Sequence, residues 1–398
     1  MKGVPEEVLV RKILLLAGLV ALVFTGLPRS AVASVAGGTS TAWGGVAGGS
    51  PQSGAEHRSA GDFGTFGSQQ APTDGATVTI EPVVTALPDG STQTVFELPD
   101  GQVITTITPP AGFNPLKADD STLVKFGFPP RPSDTADLED WTAAMSAYRS
   151  DKSAEPPDEP LQVVYDSTPS YATYYTNWAG YIAGTLFTQS RTYVAIKTSF
   201  YVPSNTGTCS SSNMVGFWIG LGGTSADRSN SLVQQGVECG HPNVGSGSAY
   251  RPFTEFANTA PPVALCGYSS WTLGAGHWIY QNMSFQTSQN KAFFYLEDQT
   301  SGVAHGCSVT PPSGWSWDLN TAEWIAEAPT GTAINFGSLR FTNTRTQLYS
   351  NSQWVTLGSQ TVTKTIQGSS SSYYCINPGA ISSGTAFTDY WHQADCYN

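Results

Sequence analysis

Residues 321–327 read Thr-Ala-Glu-Trp-Ile-Ala-Glu, so Glu323, Ile325 and Glu327 alternate with Ala322, Trp324 and Ala326. Successive side chains of a strand point to opposite faces. As a strand, this stretch carries two carboxyls on one face and Trp and Ala on the other. A carboxyl can serve as general base, general acid or nucleophile. Glycoside hydrolysis needs two of them about 5–10 Å apart. Glu323 and Glu327 would stand about 13 Å apart along one strand and are not that pair. Cross-strand pairs such as Glu255 with Glu327 stay open.

A second stretch, Asn230-Ser-Leu-Val-Gln-Gln-Gly-Val-Glu238, puts Gln234, Gly236 and Glu238 on one strand face. A glutamine in an apolar strand must find partners or lose free energy. Its amide is both donor and acceptor, so it can hold a water and later donate to an oxyanion. Other chemistries lack their residues. There is no Gly-x-Ser-x-Gly, no pair of Asp-Thr/Ser-Gly turns, and nothing that couples His241, His277 or His305 to a marked nucleophile. No CxxC or HExxH spacing exists, so neither a metal nor another cofactor is expected.

The elements that must position these groups are strands. From Thr168 onward Trp, Tyr and Phe are dense, β-branched residues are frequent, and turns of Gly, Asn, Ser and Pro recur. Strands are expected at 178–182, 193–202, 217–220, 232–238, 254–256, 278–286, 291–298, 323–326, 339–342 and 360–366. This pattern predicts an all-β sandwich or barrel. The six cysteines, at 209, 239, 266, 307, 375 and 396, are even in number and suit three disulfides. Proximity favours Cys209–Cys239, Cys266–Cys307 and Cys375–Cys396 among the fifteen possible sets.

The net charge is −12 at pH 7. Residues 166–398 hold eleven Asp/Glu and eight Lys/Arg, which is sparse for their length. Few paired carboxylates means little stability lost on protonation, so the composition suits an acidic medium. It lacks the basic footprint of a nucleic-acid binder.

Lys2, Arg11 and Lys12 precede an apolar run at 13–27, and Ala31-Val-Ala33 is a small-x-small site. Residues 1–33 read as a signal peptide, which predicts a secreted chain with no membrane span after its removal. Residues 34–77, rich in Gly, Ser, Ala and Thr, read as disordered. Residues 78–165 follow as a small α+β region. It has a β-meander punctuated by Leu87-Pro-Asp-Gly90 and Leu98-Pro-Asp-Gly101, a helix over 137–151, and a linker stiffened by Pro156, Pro157 and Pro160. Such a region between a signal peptide and a compact domain at 166–398 resembles a propeptide.

Six motifs in order resemble the glutamic peptidases, or eqolisins (peptidase family G1, formerly A4), with a pro-region of the kind seen before bacterial members. They are Asn177-Trp-Ala-Gly180, Val202-Pro203, Trp218-Ile-Gly-Leu-Gly-Gly223, Val233-Gln-Gln-Gly-Val-Glu238, Phe253-Thr-Glu-Phe256 and Ala322-Glu-Trp-Ile-Ala-Glu327. The resemblance implies a two-sheet antiparallel β-sandwich of lectin-like (concanavalin A-like) kind and a secreted acid endopeptidase without cofactor. It gives Glu327 the catalytic glutamate position and Gln234 the catalytic glutamine position, with Gln235 as the adjacent alternative and Glu323 structural. Trp218 and Glu255 match supporting residues of the cleft, and Glu238 is counted with them. Two positions depart: Gly222 stands where an acidic residue is usual, and Phe253 and Phe256 replace two tryptophans.

Protein or peptide substrates, a monomer, and the propeptide as the chain's own inhibitor are the partners implied. Lys117, Lys125, Arg131 or Arg149 could pair with the catalytic carboxylate. The rival reading from another class is a secreted carbohydrate-binding sandwich, with exposed Trp and Tyr stacking on sugars. A peptidase homologue that has lost activity is a third.

Overall fold

A computed structural model describes residues 76–153, 155–165, 177–186, 192–224, 232–244, 249–257, 259–317 and 319–397. The expected signal peptide and the Gly/Ser-rich segment up to residue 75 lie outside these. The described chain is predominantly β-sheet, with two helices in its N-terminal part, and every strand pairing is antiparallel.

Seven strands form the sheet that carries the candidate residues. In spatial order they are Val263–Ala264, Arg251–Phe256, Val233–Cys239, Val215–Leu221, Thr321–Glu327, Trp178–Gly184 and Val362–Thr365. A second sheet of twelve strands is centred on Tyr193–Tyr201, Trp278–Gln286, Lys291–Asp298 and Val303–Thr310. Period-2 alternation explains how the two meet. Phe217, Ile219, Val233, Val237, Ala322 and Trp324 of the first share one apolar cluster with Ile196, Phe200, Ile279, Met283, Phe294 and Leu296 of the second. Trp324 adds a polar tie, donating its indole N–H to the carbonyl of Lys197 at 3.2 Å.

All ten expected strands of the later half are present, five of them longer than expected. Val303–Thr310 and the strands after Gln367 carry Gly, Ser and Asn that blunt the strand signal, and tertiary pairing decides them. The three cysteine pairs are those that proximity favoured.

The N-terminal part holds the expected meander, Val83–Ala86, Thr92–Glu97 and Val103–Thr108. Only Ala76–Ile80 and Leu161–Tyr165 make a small sheet of their own. The hairpin Thr92–Glu97/Val103–Thr108 instead extends the large sheet, with Thr106 opposite Cys307. Pairing there covers an edge that would otherwise expose its N–H and C=O groups. The expected helix spans Thr135–Ala147, and a shorter one, Asp120–Lys125, has Asp119 as its N-cap accepting from the Thr122 N–H. Trp141, Ala144, Met145 and Tyr148 pack on Tyr280, Tyr295 and Ala304 of the large sheet. Asp137 is wholly buried in the first turn, where a carboxylate is favoured. It meets Lys197 Nζ at 2.9 Å and Arg345 Nη1 at 3.0 Å.

Candidate active site

The seven-stranded sheet turns its second face to a smaller cluster of Trp178, Ile182, Trp218, Leu232, Val244, Phe253 and Ile325. Three cross-strand rows cover it. Glu323, Gly220, Gln234 and Glu255 are register neighbours in the first, and Ile325, Trp218, Gly236 and Phe253 in the second. Trp178, Glu327, Gly216, Glu238 and Arg251 make the third. Glu327, Gln234, Trp218, Glu255 and Glu238 thus share one face.

Gln235 points the other way. Its Nε2 donates to the carbonyls of Asn282 and Tyr295, at 3.2 and 3.0 Å, tying the two sheets. The alternation of the strand therefore separates the two adjacent glutamines into a structural one and one at the face. Gly236 lets the strands close: a Cβ there would stand 2.3 Å from the Phe217 carbonyl and 2.7 Å from Trp218 Cα.

Gln234 is buried, and its Nε2 donates to Glu255 Oε2. Its Oε1 is buried without a partner among the described residues. Glu327 sits partly exposed at its strand end. Asn177 Nδ2 donates to Glu327 Oε1 at 2.8 Å, and Trp218 Nε1 donates to Oε2 at 2.9 Å. Trp218 is itself fixed edge-to-face against Trp178, centroids 5.0 Å apart. Asn177 stood in a quoted motif without a role. Its signal was only its place beside Trp178, because the contact spans 150 positions.

Burial pushes the Glu327 carboxyl up to about 8. The Trp218 and Asn177 bonds oppose that shift, and the nearby Glu255 charge adds to it. Burial pushes Glu255 up to about 7, against the pull of the Gln234 bond. Glu238 is raised well above the carboxylate range by desolvation, then by the charges of Glu255 and Glu327. Glu323 is wholly buried and strongly raised by desolvation, which outweighs the Thr321 hydroxyl beside it. The face is a set of carboxyls that cannot all ionise together. Among the described residues no group of His, Cys, Asp and Glu has the arrangement of a metal site.

The expected inhibitory bases lie elsewhere. Lys125 pairs with Asp89 and Arg149 with Asp151. Arg131 donates to the carbonyls of Leu116 and Ala118 and stacks over Trp141. These three are engaged within the N-terminal region, and Lys117, the fourth, makes no ion pair among the described residues.

A solved structure of scytalido-glutamic peptidase with a peptide-based transition-state analog is similar at 20% identity, over 55% of this chain and 98% of that one, with a TM-score of 0.41. Aspergilloglutamic peptidase from Aspergillus niger is similar at 20% identity, over 45% and 99%, with a TM-score of 0.36. No curated protein matches the chain. The sequence profile of the Peptidase A4 family matches residues 176–387, more than half of the chain and all of the candidate residues, and the chain therefore belongs to that family, the glutamic peptidases or eqolisins.

Proposed function

We propose that this chain is a secreted acid endopeptidase in which Glu327 and Gln234 act on one water molecule. The observation that carries the reading is the pair of tethers on one face: Glu327 between Asn177 and Trp218, Gln234 against Glu255. Ionised Glu327 removes a proton from the water, which attacks the peptide carbonyl. The Gln234 amide N–H stabilises the oxyanion. Protonated Glu327 then delivers its proton to the leaving nitrogen as the C–N bond breaks. Glu327 is the carboxyl best equipped to bear the charge, since Trp218, Asn177 and Trp178 all donate to it, against Gln234 alone for Glu255. Protonating Glu255 and Glu238 in acid removes the repulsion that opposes it.

Acid operation has separate support. Glu255, Glu297, Glu323 and Asp389 are held above the carboxylate range by desolvation, with no Lys or Arg ion pair among the described residues. They fit a fold that works with those carboxyls neutral. The shared core of the two sheets supports a sandwich of lectin-like kind. Residues 1–33 as signal peptide and 78–165 as a region removed on maturation complete the reading. Purified full-length protein that never shortens in acid would count against that last part.

The rival, a carbohydrate-binding sandwich, needs exposed rings. Trp178 and Trp218 are only 4% and 1% exposed and offer no stacking platform. The test is digestion of a denatured protein at acid pH in the presence of pepstatin and a chelator. Cleavage is expected, abolished in Glu327→Gln and reduced about 10²–10³-fold in Gln234→Ala. Wild-type rates in folded Glu327→Gln would end this reading. Glycan binding without cleavage would establish the rival.

A further inference from the structure

Four carboxyls lie on the cleft face, and the reaction above gives work to two; Glu323 is wholly buried beside Gly220. Glu327 acts on water and Glu255 holds Gln234, while Glu238 has no task. Its placement is nevertheless specific. Glu327 is the register partner of Gly216, and Gly216 is the register partner of Glu238. The two carboxyls therefore face each other across a residue without a side chain. A Cβ on Gly216 would meet Glu238 Cβ at 3.6 Å, Trp218 Cδ1 at 3.8 Å and Glu238 Oε2 at 3.9 Å, and nothing closer. A methyl group there would sit in ordinary contact, with a carboxyl oxygen of Glu238 at its border. The corresponding space over Gly220 is filled, with Leu232, Trp218 and Glu323 atoms 2.9–3.2 Å from such a Cβ.

Among the described residues no Lys or Arg pairs with Glu238. Arg251, its register partner on the neighbouring strand, turns its guanidinium to the carbonyl of Ser269. His241 Nδ1 lies 3.9 Å from Oε1, and burial lowers that imidazole to about 4, which keeps it neutral above that pH. The other ionisable neighbours are Glu255 and Glu327, both of which favour a neutral Glu238. Glu238 Oε1 is buried with no hydrogen-bond partner among the described residues. A buried acid among acids lowers its free energy by keeping its proton and donating it.

We propose that Glu238 stays protonated through the reaction and donates to ionised Glu327, directly or through one water over Gly216, as a positioning residue for that base. This rests on Glu327 being the base. The two carboxylate oxygens of Glu327 offer about four lone-pair sites, so one is left for a further donor beside Trp218, Asn177 and Trp178. No proton is consumed: the one taken from water leaves on the amine, and that of Glu238 remains in place. Glu238 thus stabilises the same charge as Trp218 and Asn177, from the opposite side.

The experiment compares Glu238→Gln, Glu238→Met and Gly216→Ala in the full-length chain, with thermal melting to confirm folding. It reads kcat and KM against pH on a quenched peptide that the wild type cleaves. Glu238→Gln keeps a neutral donor and is expected to hold the acid limb of the profile within a few tenths of a pH unit. Glu238→Met removes the donor, so the acid limb should rise and kcat in acid fall roughly tenfold to hundredfold, with KM within about twofold. Gly216→Ala puts a methyl group in the gap without a clash and should move kcat the same way. A wild-type acid limb in both Glu238→Met and Gly216→Ala overturns the proposal, as does a limb that moves down in Glu238→Met, the sign of a charged Glu238. Loss in Glu238→Gln equal to that in Glu238→Met also overturns it. Glu327→Gln separates the two readings. If it is active, the assignment of the base fails; if it is dead while Glu238→Met is normal, only the role of Glu238 fails.

Discussion

The side-chain amide of Asn177 reaches Oε1 of Glu327 at 2.8 Å, across 150 positions of sequence. With Trp218 on Oε2, it brackets the carboxyl between two donors. A strand end is the least constrained part of a strand, and Glu327 sits at one. The bracket is what orients a side chain that the strand alone would leave free to rotate.

Removing one donor should expose the balance. Asn177→Ala leaves burial to raise Glu327 further, so the ionised base appears only at higher pH. Hydrogen bonds to charged groups contribute about 1.5–3 kcal/mol, and kcat/KM at acid pH should fall about tenfold to hundredfold. The acid limb of the profile should shift upward, with melting behaviour little changed. An unshifted limb would show that Asn177 does not stabilise the ionised base.

Stability should be greatest in acid. Glu238, Glu255, Glu297, Glu323, Glu327 and Asp389 all have folded-state values raised above their unfolded ones. Between those values the folded state binds more protons, so stability falls as pH rises. The contribution is complete below the unfolded carboxylate values of 4.5 and 3.8 and is lost upward, through about 7 for Glu255 and about 8 for Glu327. His241 and His305, lowered to about 4 and 3, act in the opposite sense below 6.5. Six groups against two decide the sign. Urea midpoints measured from pH 4 to 8 should decline; a rise across that span would contradict the buried neutral carboxyls.

Asp137→Ala tests the tie between the N-terminal helix and the large sheet. It strands Lys197, only 2% exposed, and Arg345 without their shared anion. Losing one member of a buried ion cluster costs about 3–5 kcal/mol. A chemical-denaturation midpoint that hardly moves would mean the helix is only loosely attached.

Gly236→Ala places a methyl group against backbone that cannot move aside, the Phe217 carbonyl at 2.3 Å. It should cost about 1–3 kcal/mol as overpacking and reduce cleavage by displacing Gln234 from Glu255. Wild-type stability in this variant would mean that the two strands do not approach so closely.

Much of this molecule was legible before its structure. Period-2 alternation marked the strands of the later half and put Glu327, Gln234 and Glu238 on named faces, because side-chain direction in a strand depends only on parity. Parity also separates Gln234 from Gln235 once one face is known. What alternation does not carry is which strands are neighbours. Asn177 beside Glu327, Gly216 between Glu327 and Glu238, and Gln234 against Glu255 all follow from strand order.

The N-terminal region shows the same division. Its turns and helix could be read locally from Leu-Pro-Asp-Gly repeats and a 3.6-residue period. Its bases were expected at the cleft, but charge alone does not say where a side chain ends. Lys125 and Arg149 found acids nearby in sequence, and the long-range ion cluster went to Asp137, on the face of the helix that the sheet buries.

By itself, the sequence determined ten strands of the later half and the parity of each candidate residue, since these depend on short-range pattern and residue type, and proximity pointed to the cysteine pairs. Only the tertiary structure decided which donors bracket Glu327, which carboxyl it faces, and how far burial displaces their protons. Those depend on contacts between strands up to 150 positions apart and on the exclusion of water, neither of which is written into any local stretch.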